Sequence, residues 1–85
     1  MSGERVAVAV DDYWPEDVES DEGVVVNWFV REGATVEDGD PLCELQVEKV
    51  SFDVPAPVSG ELDEIHLAED EEFTRGATLA VLTPA

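Results

Sequence analysis

Leu42-Cys43-Glu44-Leu45-Gln46-Val47-Glu48-Lys49-Val50-Ser51-Phe52-Asp53-Val54 contains two strand-like runs with only Glu48-Lys49 between them. In the second run Val50, Phe52 and Val54 alternate with Ser51 and Asp53. That period of two marks a strand with one buried face and fixes its pairing register. Two strands joined by two residues predict an antiparallel hairpin. Glu-Lys is an awkward pair for the turn, which favours Gly, Asn or Asp for its backbone angles. A poor turn pair kept at an exposed tip directs attention to its side chains. Pro55 and Pro57 end the second run, because proline cannot donate to a sheet ladder.

Outward from the hairpin, the chain repeats itself. At an offset of 37 residues Gly23 meets Gly60, Glu32 meets Glu69, Gly39 meets Gly76, Leu42 meets Leu79 and Leu45 meets Leu82, without a gap. Val25 faces Leu62, Trp28 faces Ile65, Val30 faces Leu67 and Val36 faces Phe73 in the same register. One strand-turn-strand unit therefore occurs twice. Each unit alone would expose an apolar face, so the two are expected to pack face to face as two antiparallel sheets about a pseudo-two-fold axis. The expected fold is all-β, a flattened barrel or sandwich, and residues 1–85 form a single domain. Residues 46–59 bridge the units, and their counterpart after the second unit is the chain end. One end of the sandwich should thus carry the Glu48-Lys49 tip and the other the termini.

The remaining segments fit this plan. Val6–Val10 is a short strand, residues 11–22 an acidic loop, Val24–Val30 a strand, and Arg31–Pro41 a turn region with Gly33 and Gly39. Gly60–Leu67 and Ala77–Leu82 are further strands around an acidic turn at Glu69–Glu72. Tyr13 and Trp14 read as a lid over the core edge.

Charge and composition exclude whole classes of function. There are 22 Asp and Glu against 4 Lys and Arg, a formal charge of −18. Nucleic acid and anionic membranes are poor partners for such a surface. An 85-residue chain buries only about 60–65% of its unfolded surface, which disfavours an enclosed enzyme active site. Fourteen Val, four Thr and one Ile stiffen the chain toward sheet. Carboxylate repulsion is screened in molar salt, so the acid excess fits a salt-adapted, halophilic cytoplasm. Met1-Ser2-Gly3-Glu4 has no basic stretch leading into an apolar run, and no run reaches the ~18 residues of a membrane helix, so a non-exported cytoplasmic protein is expected. Cys43, the one cysteine, reads as a buried apolar residue. His66 has no partner motif, and Glu69-Asp70-Glu71-Glu72 lacks calcium-loop spacing, so neither a catalytic residue nor a metal site is expected. The scarcity of bases is the sharper clue. Arg5, Arg31 and Arg75 are arginines, leaving Lys49 as the sole lysine, at the hairpin tip.

The stretch from Gly33 through Glu48-Lys49 to Gly60 resembles the biotinyl/lipoyl attachment domain, and most closely the lipoyl domains of 2-oxoacid dehydrogenase dihydrolipoamide acyltransferases. The resemblance runs from about Gly23 to Leu82. It implies a barrel-sandwich fold with the modified lysine on a tight hairpin, which coincides with the repeat. It implies that Lys49 carries covalently attached lipoate and that Gly33 and Gly60 are structural. Glu48, the acid before the lysine, is expected to take part in recognition, as are Val47 and Val50, whose contact-range shape gains weight where salt screens long-range steering. The implied role is a non-catalytic carrier of acyl groups and reducing equivalents. Its partners would be a lipoate-attaching ligase or transferase and the 2-oxoacid dehydrogenase, acyltransferase and dihydrolipoamide dehydrogenase components. The carboxylates of Glu44, Glu48 and Asp53 are the expected electrostatic code for them. Lipoyl domains commonly read Glu, a small polar residue, Asp, Lys, Ala around the site, whereas this chain has Gln46, Val47, Glu48, Lys49 and Val50. Biotin carrier domains share the fold but typically place their lysine between methionines, and the only methionine here is Met1. A biotin carrier and an unmodified interaction domain of the same fold are the alternatives.

Overall fold

The computed structural model describes residues 4–85; Met1-Ser2-Gly3, part of the leader-free reading above, lie outside the described residues. Eight strands form β1 (Val6–Ala9), β2 (Glu22–Trp28), β3 (Thr35–Val36), β4 (Pro41–Val47), β5 (Val50–Pro55), β6 (Gly60–Ile65), β7 (Glu72–Thr74) and β8 (Thr78–Pro84). They make two four-stranded antiparallel sheets, ordered β1-β8-β6-β3 and β5-β4-β2-β7. The sheets keep free edges, so the sandwich form of the expectation holds and a closed barrel does not.

The repeat is visible bond by bond. Phe29 N–H donates to the Leu42 carbonyl and, 37 residues on, His66 N–H donates to Leu79. Gly33 donates to Leu62 while Asp70 donates to Val25, and Leu62 donates to Ala34 while Val25 donates to Glu71. The strand irregularities correspond too, between Val25 and Asn27 in β2 and between Leu62 and Glu64 in β6. Even the side-chain caps are exchanged. Glu69 Oε2 accepts from Trp28 N–H at 3.0 Å, and Glu32 Oε2 accepts from Ile65 N–H at 2.8 Å. The Glu32–Glu69 identity in the sequence is therefore a capping role used twice, each carboxylate satisfying an amide that leaves its ladder.

Two strands escape the sequence pattern. β3 lies where a turn region was expected, and β7 overlaps the expected acidic turn at Glu72 and runs on through two unassigned residues, because two and three residues are too few to show a period of two. Each is anchored by one buried residue, Val36 or Phe73. The units also do not each form one sheet. The short strand of each unit crosses over and pairs with the long first strand of the other, β3 on β6 and β7 on β2. A left-handed residue at the same repeat position allows the chain to turn there, Gly33 at φ 90° and Asp70 at φ 70°. Glycine adopts this conformation freely, and Asp is among the few other residues that tolerate it.

The core lies between the sheets. β4 supplies Leu42, Cys43, Leu45 and Val47, and β8 supplies the repeat-related Leu79 and Leu82, all fully buried. Leu42 and Cys43 are adjacent yet both buried because the β4–β5 register shifts between Pro41 and Cys43. Trp14 closes one edge as the expected lid, its ring edge-on to Phe73 at 6.1 Å. Val10–Tyr13, expected as the end of a strand and the start of a loop, forms a turn of 3-10 helix.

Burial gives Cys43 a definite chemistry. Desolvation first, and the nearby Asp53 carboxylate second, push its thiol from 9.0 to about 12. The folded state thus resists ionisation that the unfolded chain permits, so this contribution is intact below pH 9 and is lost as pH rises toward 12. We expect Cys43 in the native protein to react with Ellman's reagent only as fast as the chain unfolds, with stability falling above pH 9. Rapid stoichiometric labelling of folded protein at pH 8 would contradict this placement.

Candidate functional site

β4 and β5 run antiparallel from the Val47–Val50 pair, and Glu48-Lys49 alone joins them. Lys49 is exposed, and among the described residues its ammonium makes no ion pair. Arg31, also exposed, shares this lack of an ion pair among the described residues, whereas Arg5, Arg75 and His66 do not. Arg5 is bound to Asp63 and Glu64, and Arg75 is bound to Asp11 with its guanidinium 5.6 Å from the Trp14 ring centroid. His66 is held by Glu64 at 2.9 Å, and that hydrogen bond, followed by the charge of Arg5, draws the Glu64 carboxyl below its ordinary value.

The turn obtains its geometry in an unusual way. Glu48 takes φ 56°, a left-handed conformation that costs a residue with a side chain about 1–2 kcal/mol. Two contacts hold it there. Its Oε2 accepts from the Ser20 backbone N–H at 2.9 Å, and its carbonyl accepts from Gln46 Nε2 at 3.1 Å. Ser20, which comes from the loop before β2 and lies 28 positions away, carries no sequence signal of this role. Gln46, read only as a departure from the family pattern, turns out to cap the turn.

The other candidate residues are distributed around this tip. Val47 is fully buried and belongs to the core, so it offers a partner no direct contact and shapes the hairpin from within. Val50 is half-buried at the start of β5, while Glu48 and Asp53 are exposed and Glu44 is half-buried. Glu44 and Asp53 stand directly opposite each other across β4 and β5. Gly33 has open space around it, so its φ of 90° rather than crowding calls for glycine. Gly60 is the opposite case, since a Cβ there would clash with the Thr83 carbonyl oxygen and lie 2.9 Å from Pro84 Cα. Beside the tip lies an open groove of about 490 Å³ walled by Ser20, Glu22, Val24, Gln46, Glu48 and Phe73 among others. Among the described residues no cluster of His, Cys, Asp and Glu has the arrangement of a metal site, and no helix is long and apolar enough to cross a membrane.

This geometry has known relatives. The sequence profile of the biotin/lipoyl family, described as "Biotin-requiring enzyme", matches residues 16–82. The dihydrolipoyllysine-residue acetyltransferase component of the pyruvate dehydrogenase complex from Staphylococcus aureus is 44% identical over 48 residues, 56% of this chain and 11% of that protein. Its counterpart from Corynebacterium glutamicum is 40% identical over 64 residues, 75% of this chain and 10% of that protein. The chain thus spans about a tenth of these relatives. Among solved structures, the lipoyl domain of the 2-oxoglutarate dehydrogenase complex from Azotobacter vinelandii superposes with a TM-score of 0.70 at 26% identity, covering 85% of this chain and 89% of that one. A single-chain, multi-domain long-chain acyl-CoA carboxylase shares the fold over 100% of this chain and 8% of its own, with a TM-score of 0.77 at 20% identity. With most of its length matched by the family profile and its fold shared with a solved lipoyl domain, the chain belongs to the biotin/lipoyl attachment family.

Proposed function

We propose that this chain is a lipoyl carrier domain, with Lys49 as the residue that bears lipoate through an amide at Nζ. The observation that carries the reading is the sole lysine, exposed and unpaired among the described residues, on the two-residue turn of an attachment-family fold. A primary amine free of ion pairs at such a tip suits covalent attachment, and the attached group would clear the body of the domain. Lipoate is favoured over biotin by the acetyltransferase relatives and by the lack of methionine on either side of Lys49.

When bound, the lipoyl dithiolane supplies the chemistry, taking up an acyl group with two electrons and releasing each to a different partner. The chain supplies presentation. The rigid hairpin holds the attachment point away from the core, and tethering gives the group a high effective concentration at several active sites in turn. Those sites belong to a 2-oxoacid dehydrogenase complex, with a lipoate-attaching ligase acting first. The carboxylates of Glu44 and Asp53 and the apolar Val50 form the surface these enzymes meet.

Trypsin tests the assignment directly, because it cuts after Lys49 only while the amine is free. After incubation with a lipoate ligase, lipoate and ATP, the fragments 32–49 and 50–75 should fuse into one with the mass of a lipoyl group added. Fusion with biotin and a biotin ligase alone would transfer the assignment to the biotin carrier. An intact cut at Lys49 under both conditions would overturn both carrier readings and leave an unmodified interaction domain.

The acid excess we assign to a salt-rich solvent, and the Glu44–Asp53 pair supports this. Like charges directly opposite on neighbouring strands are destabilising unless screened. Asp53→Lys would turn the pair into an attraction. We expect it to stabilise the fold by about 0.5–1 kcal/mol at low salt and by almost nothing at molar salt. Denaturant titrations at both salt concentrations provide the check. An equal effect in the two, together with wild-type stability that does not rise with salt, would count against salt adaptation.

A further inference from the structure

The pseudo-symmetry fails in two places, and they touch. β1 and β5 occupy matching positions in their sheets, yet residues 10–21 connect β1 to β2 while only residues 56–59 connect β5 to β6. The Glu48-Lys49 turn lacks a counterpart as well, because β8 and β1, the pair that matches β4 and β5, are not consecutive in the chain, so the longer connection and this turn are both additions to the repeated unit. They meet where Ser20 N–H donates to Glu48 Oε2 at 2.9 Å.

The loop is firmly mounted at that point. Trp14 Nε1 donates to the Ser20 carbonyl at 3.2 Å, and Trp14 is itself buried against Phe73. Ser20 Oγ donates to the Glu22 carbonyl at 3.3 Å and accepts from the Glu22 N–H at 3.1 Å, which fastens Ser20 to the first residue of β2. From the other side Gln46 Nε2 binds the Glu48 carbonyl at 3.1 Å. That carbonyl belongs to the peptide leading into Lys49, so fixing it fixes the direction in which the Lys49 side chain leaves the backbone. A non-glycine residue at φ 56° persists only where its surroundings over-determine it, and here both its side chain and its carbonyl are held.

We propose that Ser20 and Gln46 are positioning residues for acylation of Lys49, acting through Glu48, whose carboxylate serves the turn rather than a partner's charge. The proposal rests on the reading of Lys49 as the acceptor. In the step itself an amide bond forms between Lys49 Nζ and the carboxyl carbon of an acyl adenylate that the ligase makes from lipoate and ATP. AMP leaves with the bonding electron pair, and the amine proton passes to a base on the ligase. The clamp orders the acceptor before that encounter, so the attacking nitrogen reaches the acyl carbon without first ordering the turn.

The test compares Glu48→Gln, Glu48→Gly and Gln46→Ala with wild type, using lipoate ligase, free lipoate and ATP, with hydrogen exchange at the Ser20 amide as a second readout. Glu48→Gln loses the charge but keeps an oxygen that can accept from Ser20. It should be lipoylated within about twofold of wild type and keep the Ser20 amide protected. Glu48→Gly accepts the φ without strain and should fold at least as stably, yet lose roughly ten- to a hundredfold in kcat/KM together with the protection. Gln46→Ala should lose rate with unchanged Tm. Wild-type rates for Glu48→Gly and Gln46→Ala would overturn the proposal alone, as would a Glu48→Gln rate as low as that of Glu48→Gly, which would mean the charge is read directly. A wild-type chain that is never labelled at Lys49 would overturn this proposal and the carrier reading together.

Discussion

Lys49→Arg is expected to abolish covalent loading completely while leaving the fold unchanged. The substitution keeps the positive charge and most of the aliphatic stem, and Lys49 is exposed and free of ion pairs among the described residues, so stability should stay within about 0.5 kcal/mol of wild type. Guanidinium remains protonated at any accessible pH and offers no free amine to an activated acyl group. No other lysine exists to take over. Lipoylation followed by intact-mass measurement should therefore show full conversion for wild type and none for Lys49→Arg, with superimposable thermal unfolding. A lipoylated Lys49→Arg protein would place the attachment elsewhere, and a large drop in Tm would give Lys49 a structural role that its exposure does not suggest. Loading removes the chain's one lysine charge from a formal total of −18, so the product should also migrate as a more acidic species.

Gly60→Ala should produce the largest loss of stability of any single methyl added to the chain. Its new Cβ would clash with the Thr83 carbonyl oxygen and lie 2.9 Å from Pro84 Cα, which are backbone atoms of β8 paired to β6 on this register. Backbone in a ladder cannot swing aside as a flexible side chain can, so the two strands must separate locally. The cost should be about 2–3 kcal/mol, which for a domain of this size lowers Tm by roughly 10–20 °C. Gly33→Ala is the useful control. Space around it is open and only its φ of 90° opposes a side chain, so its cost should be nearer 1 kcal/mol. Thermal unfolding of the two variants in the same salt distinguishes crowding from conformation. Equal Tm values would show that the approach of β6 to β8 is looser than the structure has it.

Much of this fold was legible before any coordinates, because a gapless internal repeat is a tertiary statement written in one dimension. Leu42 with Leu79, Leu45 with Leu82 and Val25 with Leu62 name both halves of the core, and all six side chains are fully buried. The hairpin followed from the alternation of Val50, Phe52 and Val54, since a period of two identifies both the strand and its buried face. Glu32 and Glu69 appeared only as matched letters. Their function as reciprocal caps required knowing that Ile65 and Trp28 leave their ladders beside them.

The surroundings of Lys49 divide along the same line. Its uniqueness and its place between two strands are properties of residue order, and local patterning suffices to read them. The exchange of short strands between sheets and the burial of Val47 depend on where distant segments pack. So does the hold of Ser20 on Glu48, a hydrogen bond between one backbone amide and one carboxylate that leaves no periodic trace in either segment. By itself the sequence determined that Lys49 is the sole lysine and that it stands between two strands. Tertiary structure alone decided how the turn beneath it is held, because the left-handed Glu48 is bound by Ser20 from 28 positions away, a contact that depends on where the loop before β2 packs.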